Sequence, residues 1–194
     1  LGGVSGQGSL SGNSRGSASW ILVPTIDAAP DAPKLYAVGG KLRYRQGGQL
    51  VQVPLTPANI TVLPSPRLFV RYFHQRDVFS DDPFTDEIEP SIPYSLAVMV
   101  ENRGKGQANN VRIISAQPQI IENERGLLIG FELIASQVED RSIEPSLTVN
   151  FGAVPPGTNA IGRWLFTSTL QGLFTDYHAS FEHIDGFGNP RLSL

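Results

Sequence analysis

The chain has no cysteine, a single methionine, and no apolar run near the roughly 20 residues that a membrane-spanning helix needs. Without thiols there are no disulfides, no thiolate zinc sites and no cysteine nucleophile, although the compartment stays open because many secreted repeat proteins dispense with cysteine. Charge is sparse too. Only 17% of residues are charged, the net charge is −3, and no basic cluster stands out to attract nucleic acid or an anionic membrane surface. Two functional signatures are missing. No Gly-x-Ser-x-Gly elbow offers a serine nucleophile. The glycine run Gly2-Gly-Val-Ser-Gly-Gln-Gly8 lacks both a preceding strand and the Gly-Lys-Ser/Thr ending of a phosphate loop. Glycosidase chemistry needs only two carboxylates and so stays open on sequence alone, although the acids here cluster in one loop instead of facing each other across a cleft. The chain opens on Leu1, which points to a processed chain or a piece of a longer one.

Turn formers are plentiful. Twenty glycines and 15 prolines are scattered between short apolar stretches in 194 residues, of which 40% are hydrophobic. That pattern disfavours long helices and predicts an all-β protein of many strands joined by turns. The most informative stretch runs from Tyr94 to Ile114. Tyr94, Leu96, Val98 and Val100 alternate onto one face, Asn102-Arg-Gly-Lys-Gly106 turns the chain, and Val111 and Ile113 resume the pattern. Strands are expected over 67–73, 94–102, 110–116, 127–135, 146–151, 160–168 and 175–184, a number and length that fit an immunoglobulin-like β-sandwich. Leu63-Pro-Ser-Pro66 reads as a stiff linker. Two modules are therefore expected, 1–65 and 66–194.

The first module is short for a complete sandwich, and its order of features parallels the end of the second. Gly8-Ser-Leu-Ser-Gly12 followed by Ser19-Trp-Ile-Leu22 parallels Gly152-Ala-Val-Pro-Pro-Gly157 followed by Arg163-Trp-Leu-Phe166. Tyr36 to Gly47 likewise parallels Tyr177 to Gly188, and in each case a hairpin-like turn leads into another strand. On this comparison the chain forms tandem modules, the first incomplete and completed by a neighbouring repeat or by strand donation between subunits. The alternative is that 1–65 forms a small sheet of its own packed on the second module.

The run Ser95–Ile113, with Phe151-Gly-Ala-Val-Pro-Pro-Gly157 and the strand through Trp164, resembles the CARDB-like and related conserved-repeat immunoglobulin-like domains of surface and secreted proteins. In that family an apolar strand leads into Asn-x-Gly and then Asn-Val, and a later Pro-Gly turn precedes the penultimate strands. The resemblance covers roughly 66–184. It implies a spacer, adhesive module or fibre unit, and no catalytic residues to carry over. The segment 73–92 departs from the short connection of the family.

That segment holds Asp77, Asp81, Asp82, Asp86, Glu87 and Glu89. Calcium takes six to eight oxygens, so the first five of these are a candidate Ca2+ site, although the EF-hand order is absent. The competing reading has Phe79 and Phe84 pinning the loop to the sandwich while the acids face water, with Arg71 or Arg76 pairing some of them. Of the three histidines, His178 and His183 fall on opposite faces of one expected strand and cannot chelate together; His74 stands apart. Trp20, Trp164 and Tyr177 are expected core aromatics. With Tyr36 and Tyr44 they would instead make a sugar-stacking platform if exposed. Asn59-Ile-Thr61 is an acceptor for N-linked sugar in a secretory pathway.

These features predict a structural, non-enzymatic protein of the cell surface or extracellular space, one unit of a multi-domain or polymeric fibre. Its partners would be copies of itself or adjacent repeats, possible glycans, no nucleic acid and no membrane span. An adhesin or carbohydrate-binding module is the alternative, and an accessory domain of a secreted hydrolase a third.

Overall fold

The computed structural model describes residues 8–119, 129–173 and 176–182. Among them the regular structure is antiparallel β-sheet, with one 3₁₀ turn at Ile26–Ala28 and no α-helix. The chain divides into two units, Leu1–Pro64 and Ser65–Leu194.

The first unit contains β1 (Lys34–Val38), β2 (Lys41–Gln46), β3 (Gln49–Pro54) and β4 (Ala58–Val62). β2 and β3 form a hairpin around Gly47 and Gly48, whose φ angles of 57° and 82° are both left-handed. Such a turn matches the twist of the flanking strands, and glycine enters it without a side-chain clash. β1 pairs with β4 outside this hairpin, and the Leu55 amide donates to Gly40 O (2.9 Å) across the joint. The Tyr36 hydroxyl donates to Ala28 O (2.5 Å), tying the 3₁₀ turn to β1. Ala29 is the one fully buried hydrophobic residue described in this unit. Among the described residues the two ladders thus assemble no core, and two-stranded ribbons are marginal in water on their own.

The second unit follows as β5 (Leu68–His74), β6 (Asp77–Val78), β7 (Tyr94–Asn102), β8 (Ala108–Gln119), β9 (Phe131–Val138), β10 (Arg141–Ile143), β11 (Val149–Val154), β12 (Asn159–Ser168), β13 (Gly172–Leu173) and β14 (Asp176–Glu182). One sheet has the order β10-β9-β12-β7-β5 and a second the order β11-β8-β14, with β13-β6 as a small third. Strand β7 spans the expected residues because its alternation is unbroken: Tyr94, Leu96, Val98, Val100 and Asn102 are buried. The four apolar ones meet Val111 and Ile113 of β8, Val149 and Val154 of β11, and Trp164 and Phe166 of β12 in one core. Gly162 lets the two sheets approach, since a Cβ there would come within 3.1 Å of the Phe151 ring.

Two strands begin later than the apolar pattern suggests. β9 starts at Phe131, and Leu127 lies outside the described residues. β11 starts at Val149 because side chains capture the backbone of Ser146. Its amide donates to Ser136 Oγ, and its carbonyl accepts from Ser136 Oγ and from Trp164 Nε1, each at 2.9 Å. The short β10 carries three exposed residues and no apolar period to reveal it. It is set by Glu139, whose amide donates to Ile161 O and whose carboxylate accepts from the Ile161 amide.

Asn102 closes one end of this unit. Fully buried, it accepts through Oδ1 from the amides of Arg67 (3.1 Å) and Gly104 (3.0 Å), and donates through Nδ2 to Gly106 O (2.8 Å) and Val154 O (2.9 Å). One side chain therefore joins the entry strand, the β7–β8 turn and the end of β11. Gly104 lets Ser65–Arg67 lie against that turn, since a Cβ would sit 2.4 Å from Arg67 N and 2.7 Å from Ser65 O. These contacts are backbone and cannot yield.

Tyr94 stacks on Phe166 with ring centroids 5.7 Å apart. Burial holds its phenol above the ordinary value of 10.0, and burial acts on Tyr72 in the same direction. Below pH 10 both phenols are neutral folded or unfolded; above it the unfolded forms ionise first, so stability declines as the solution becomes more alkaline. Tyr94→Phe should make that decline shallower in urea titrations between pH 8 and 11. Parallel curves for the two proteins would remove Tyr94 as a source of alkaline lability.

Candidate functional site

Two features present chemistry to solvent, one in each unit. In the second unit, residues 79–92 leave β6, make a compact excursion and return to β7. Backbone bonds anchor it: the Ile92 amide donates to Phe79 O (2.9 Å) and the Gln171 amide to Asp81 O (3.0 Å). The Ser80 and Ser91 hydroxyls lie 2.7 Å apart and within 2.7 and 2.8 Å of Ser168 O. Three carboxylates are occupied within the loop. Asp81 accepts from the Glu89 amide, Glu89 from the Asp82 amide, and Asp82 from the Phe84 amide in an Asx turn.

The five residues expected as calcium ligands are thus divided. Asp81 and Asp82 brace the loop, while Asp77, Asp86 and Glu87 point to solvent. Among the described residues, no group of three or more acidic or histidine side chains converges as a metal ion would need. The expected pinning by phenylalanine is corrected: Phe79 and Phe84 are 51% and 66% exposed. Hydrogen bonds brace the loop, and both rings stay more than half exposed. Arg71 lies 3.6 Å from Glu101 on the neighbouring strand and not in the loop, and Arg103 lies 2.8 Å from the same carboxylate. That Arg103 hydrogen bond holds Glu101 below its usual range.

Phe79 and Phe84 rim an open cleft of about 400 Å³ whose lining includes buried Val78 and the half-buried Leu170 and Ile129, with Asp77 and Asp82 beside them. Sequence reasoning placed acids here but missed the cleft. Its far wall comes from Leu170, Gln171 and Gly172, brought alongside by the β6–β13 pairing, the Asp81–Leu170 bridge and the Gln171 amide bond to Asp81 O.

In the first unit the hairpin is strongly two-faced. Its register puts Leu42 and Tyr44 with Val51 and Val53 on one face, and Lys41, Arg43 and Arg45 with Leu50 and Gln52 on the other. Leu42, Tyr44, Leu50 and Val53 are all exposed. No basic cluster was evident along the sequence, because the three cations alternate with apolar residues and converge only when the strand forms.

Trp164, in the middle of β12, is 1% exposed. Trp20 was expected in a core and is 65% exposed, because no strand reaches residues 8–25. The parallel drawn between the two Trp segments therefore has no structural counterpart among the described residues. Tyr177 pairs through its backbone with Pro118, while its side chain and that of His178, with all of His183 and the 186–189 turn, lie outside the described residues. His74 ends β5 opposite Leu96. Asn59 is exposed on β4, with Thr61 on the same face.

No protein-family model matches this chain, and no curated protein or solved structure is significantly similar to it. In the described residues no helix is long and apolar enough to cross a membrane.

Proposed function

We propose that this chain is a structural, non-catalytic building block of an extracellular or cell-surface assembly, in which the N-terminal ribbon is completed by a neighbouring copy or repeat. The observation that carries this reading is that the described residues of the first unit form four strands and gather no core. Leu35, Leu42, Tyr44, Leu50, Leu55 and Ile60 are all exposed in it. Stranded apolar surface of this kind favours association, and ribbons with free edges accept additional strands. In this reading the second unit is an immunoglobulin-like module, supported by two antiparallel sheets sharing one core and by the Asn102 bonds that link the Asn-x-Gly turn to Val154, just before the Pro-Pro-Gly turn. A glycan on Asn59 would sit on a solvent-facing ribbon surface, as a surface protein requires.

Sedimentation velocity across a concentration series, with electron microscopy of the material isolated from its source, tests the reading. Mass rising with concentration, and filaments with a regular repeat, are expected. Discrete monomers at every concentration would overturn it. A second reading, a glycan-binding adhesin module, is favoured by exposed Phe79 and Phe84 beside Asp77 and Asp82. Its mark would be retention on a glycan array that is lost in Phe79→Ala.

A further inference from the structure

We infer that the cationic face of the β2–β3 hairpin of one copy docks into the acidic, phenylalanine-rimmed cleft of a second copy. This rests on the self-assembling reading above and names the contact it would use. Alternate strand positions lie about 7 Å apart, so Lys41, Arg43 and Arg45 present an evenly spaced row of cations on one face of a narrow ribbon. None of the three takes part in a salt bridge among the described residues, and neither do Asp77 and Asp82. Arg43 only donates through Nε to Gln52 Oε1 (3.0 Å) across the hairpin.

The two surfaces are complementary in charge and in apolar character. Leu50 is directly opposite Arg45 near the hairpin tip, on the cationic face, and is 64% exposed. An apolar side chain beside a guanidinium is what a cleft with an apolar floor and a carboxylate rim accommodates. The exposed phenyl rings add a second attraction, since guanidinium groups stack on aromatic faces once partly shielded from water. The protein already uses that contact: Arg103 and Arg67 lie 4.3 and 5.2 Å from the centroid of the Phe69 ring. An overall charge of −3 would push two copies apart. Bringing this local positive face against the acidic cleft reverses the sign where it matters and fixes a head-to-tail register.

The test uses the full-length chain and two single variants, Arg45→Asp and Asp77→Arg, followed by sedimentation velocity at low and high salt. Both residues are exposed, and circular dichroism checks that each variant folds. Each alone should self-associate about tenfold or more weakly than the parent, and raising the salt should weaken the parent in the same way. An equimolar mixture of the two should associate again, because each supplies a face the other can meet. Unchanged association in both variants, or failure of the mixture to recover, would overturn the contact while leaving self-assembly standing. A parent that stays monomeric at all concentrations would overturn both. Binding of a neutral oligosaccharide in the cleft that leaves self-association untouched would likewise overturn it and favour the adhesin reading.

Discussion

Asn102→Ala is expected to lower the unfolding free energy of the Ser65–Leu194 unit by about 3–5 kcal/mol. The side chain satisfies two backbone amides and two backbone carbonyls at once, and it is buried where water cannot easily replace it. Each buried group left without a partner costs about 1–3 kcal/mol, and alanine leaves four. Relaxation of the exposed end of the turn recovers part of this, which keeps the total below a simple sum. Asn102→Asp should be nearly as damaging, because a carboxylate keeps the two accepted bonds but turns both donated bonds into contacts between oxygens. Urea denaturation followed by fluorescence in a Trp20→Phe background reads the unit through Trp164 alone. A loss under about 1 kcal/mol would mean that the strap at this end is held by the ladders and not by Asn102.

Trp164→Ala should cost about 3–5 kcal/mol, as large-to-small changes of buried aromatics do. The ring fills the space between the two sheets, at the centre of the strand that pairs with both β7 and β9. Its Nε1–H also shares Ser146 O with Ser136 Oγ, so removing it loosens the start of β11. Trp164→Phe separates the two effects. It keeps most of the apolar contact and forfeits the hydrogen bond, with an expected loss of about 1–3 kcal/mol. Equal losses in the two variants would show that the bond to Ser146 outweighs the packing. Both are measured by thermal or urea unfolding, with amide exchange of Val149 and Asn150 reporting on β11.

The positions of the longer strands in the second unit were largely legible, because alternation at Tyr94–Val100 and the glycine and proline turns are local signals that a burial pattern must honour, whereas their order in the sheets was not. Strand β10 was not legible: its pairing depends on Glu139 bonding to Ile161, a residue 22 positions away. Asn102-x-Gly104 stood out as a turn, but its reason, four bonds converging from three segments, is invisible along the chain. Trp20 shows the opposite error. Similar neighbours in sequence suggested a similar place in a core, whereas burial depends on whether other strands arrive to cover a residue, and none does.

The amino-acid sequence by itself determined the strand-and-turn class, the exclusion of cysteine chemistry, the amphipathic alternation of β7 and the acidic character of residues 77–89. These follow from side-chain chemistry and short-range periodicity, which act between near neighbours. The tertiary structure alone decided that the described residues of the first unit gather no core, that Lys41, Arg43 and Arg45 share a face, and that Phe79 and Phe84 flank a cleft walled by residues 170–172. Each of these depends on which distant segments come together, and that is settled by pairing and packing across the whole chain.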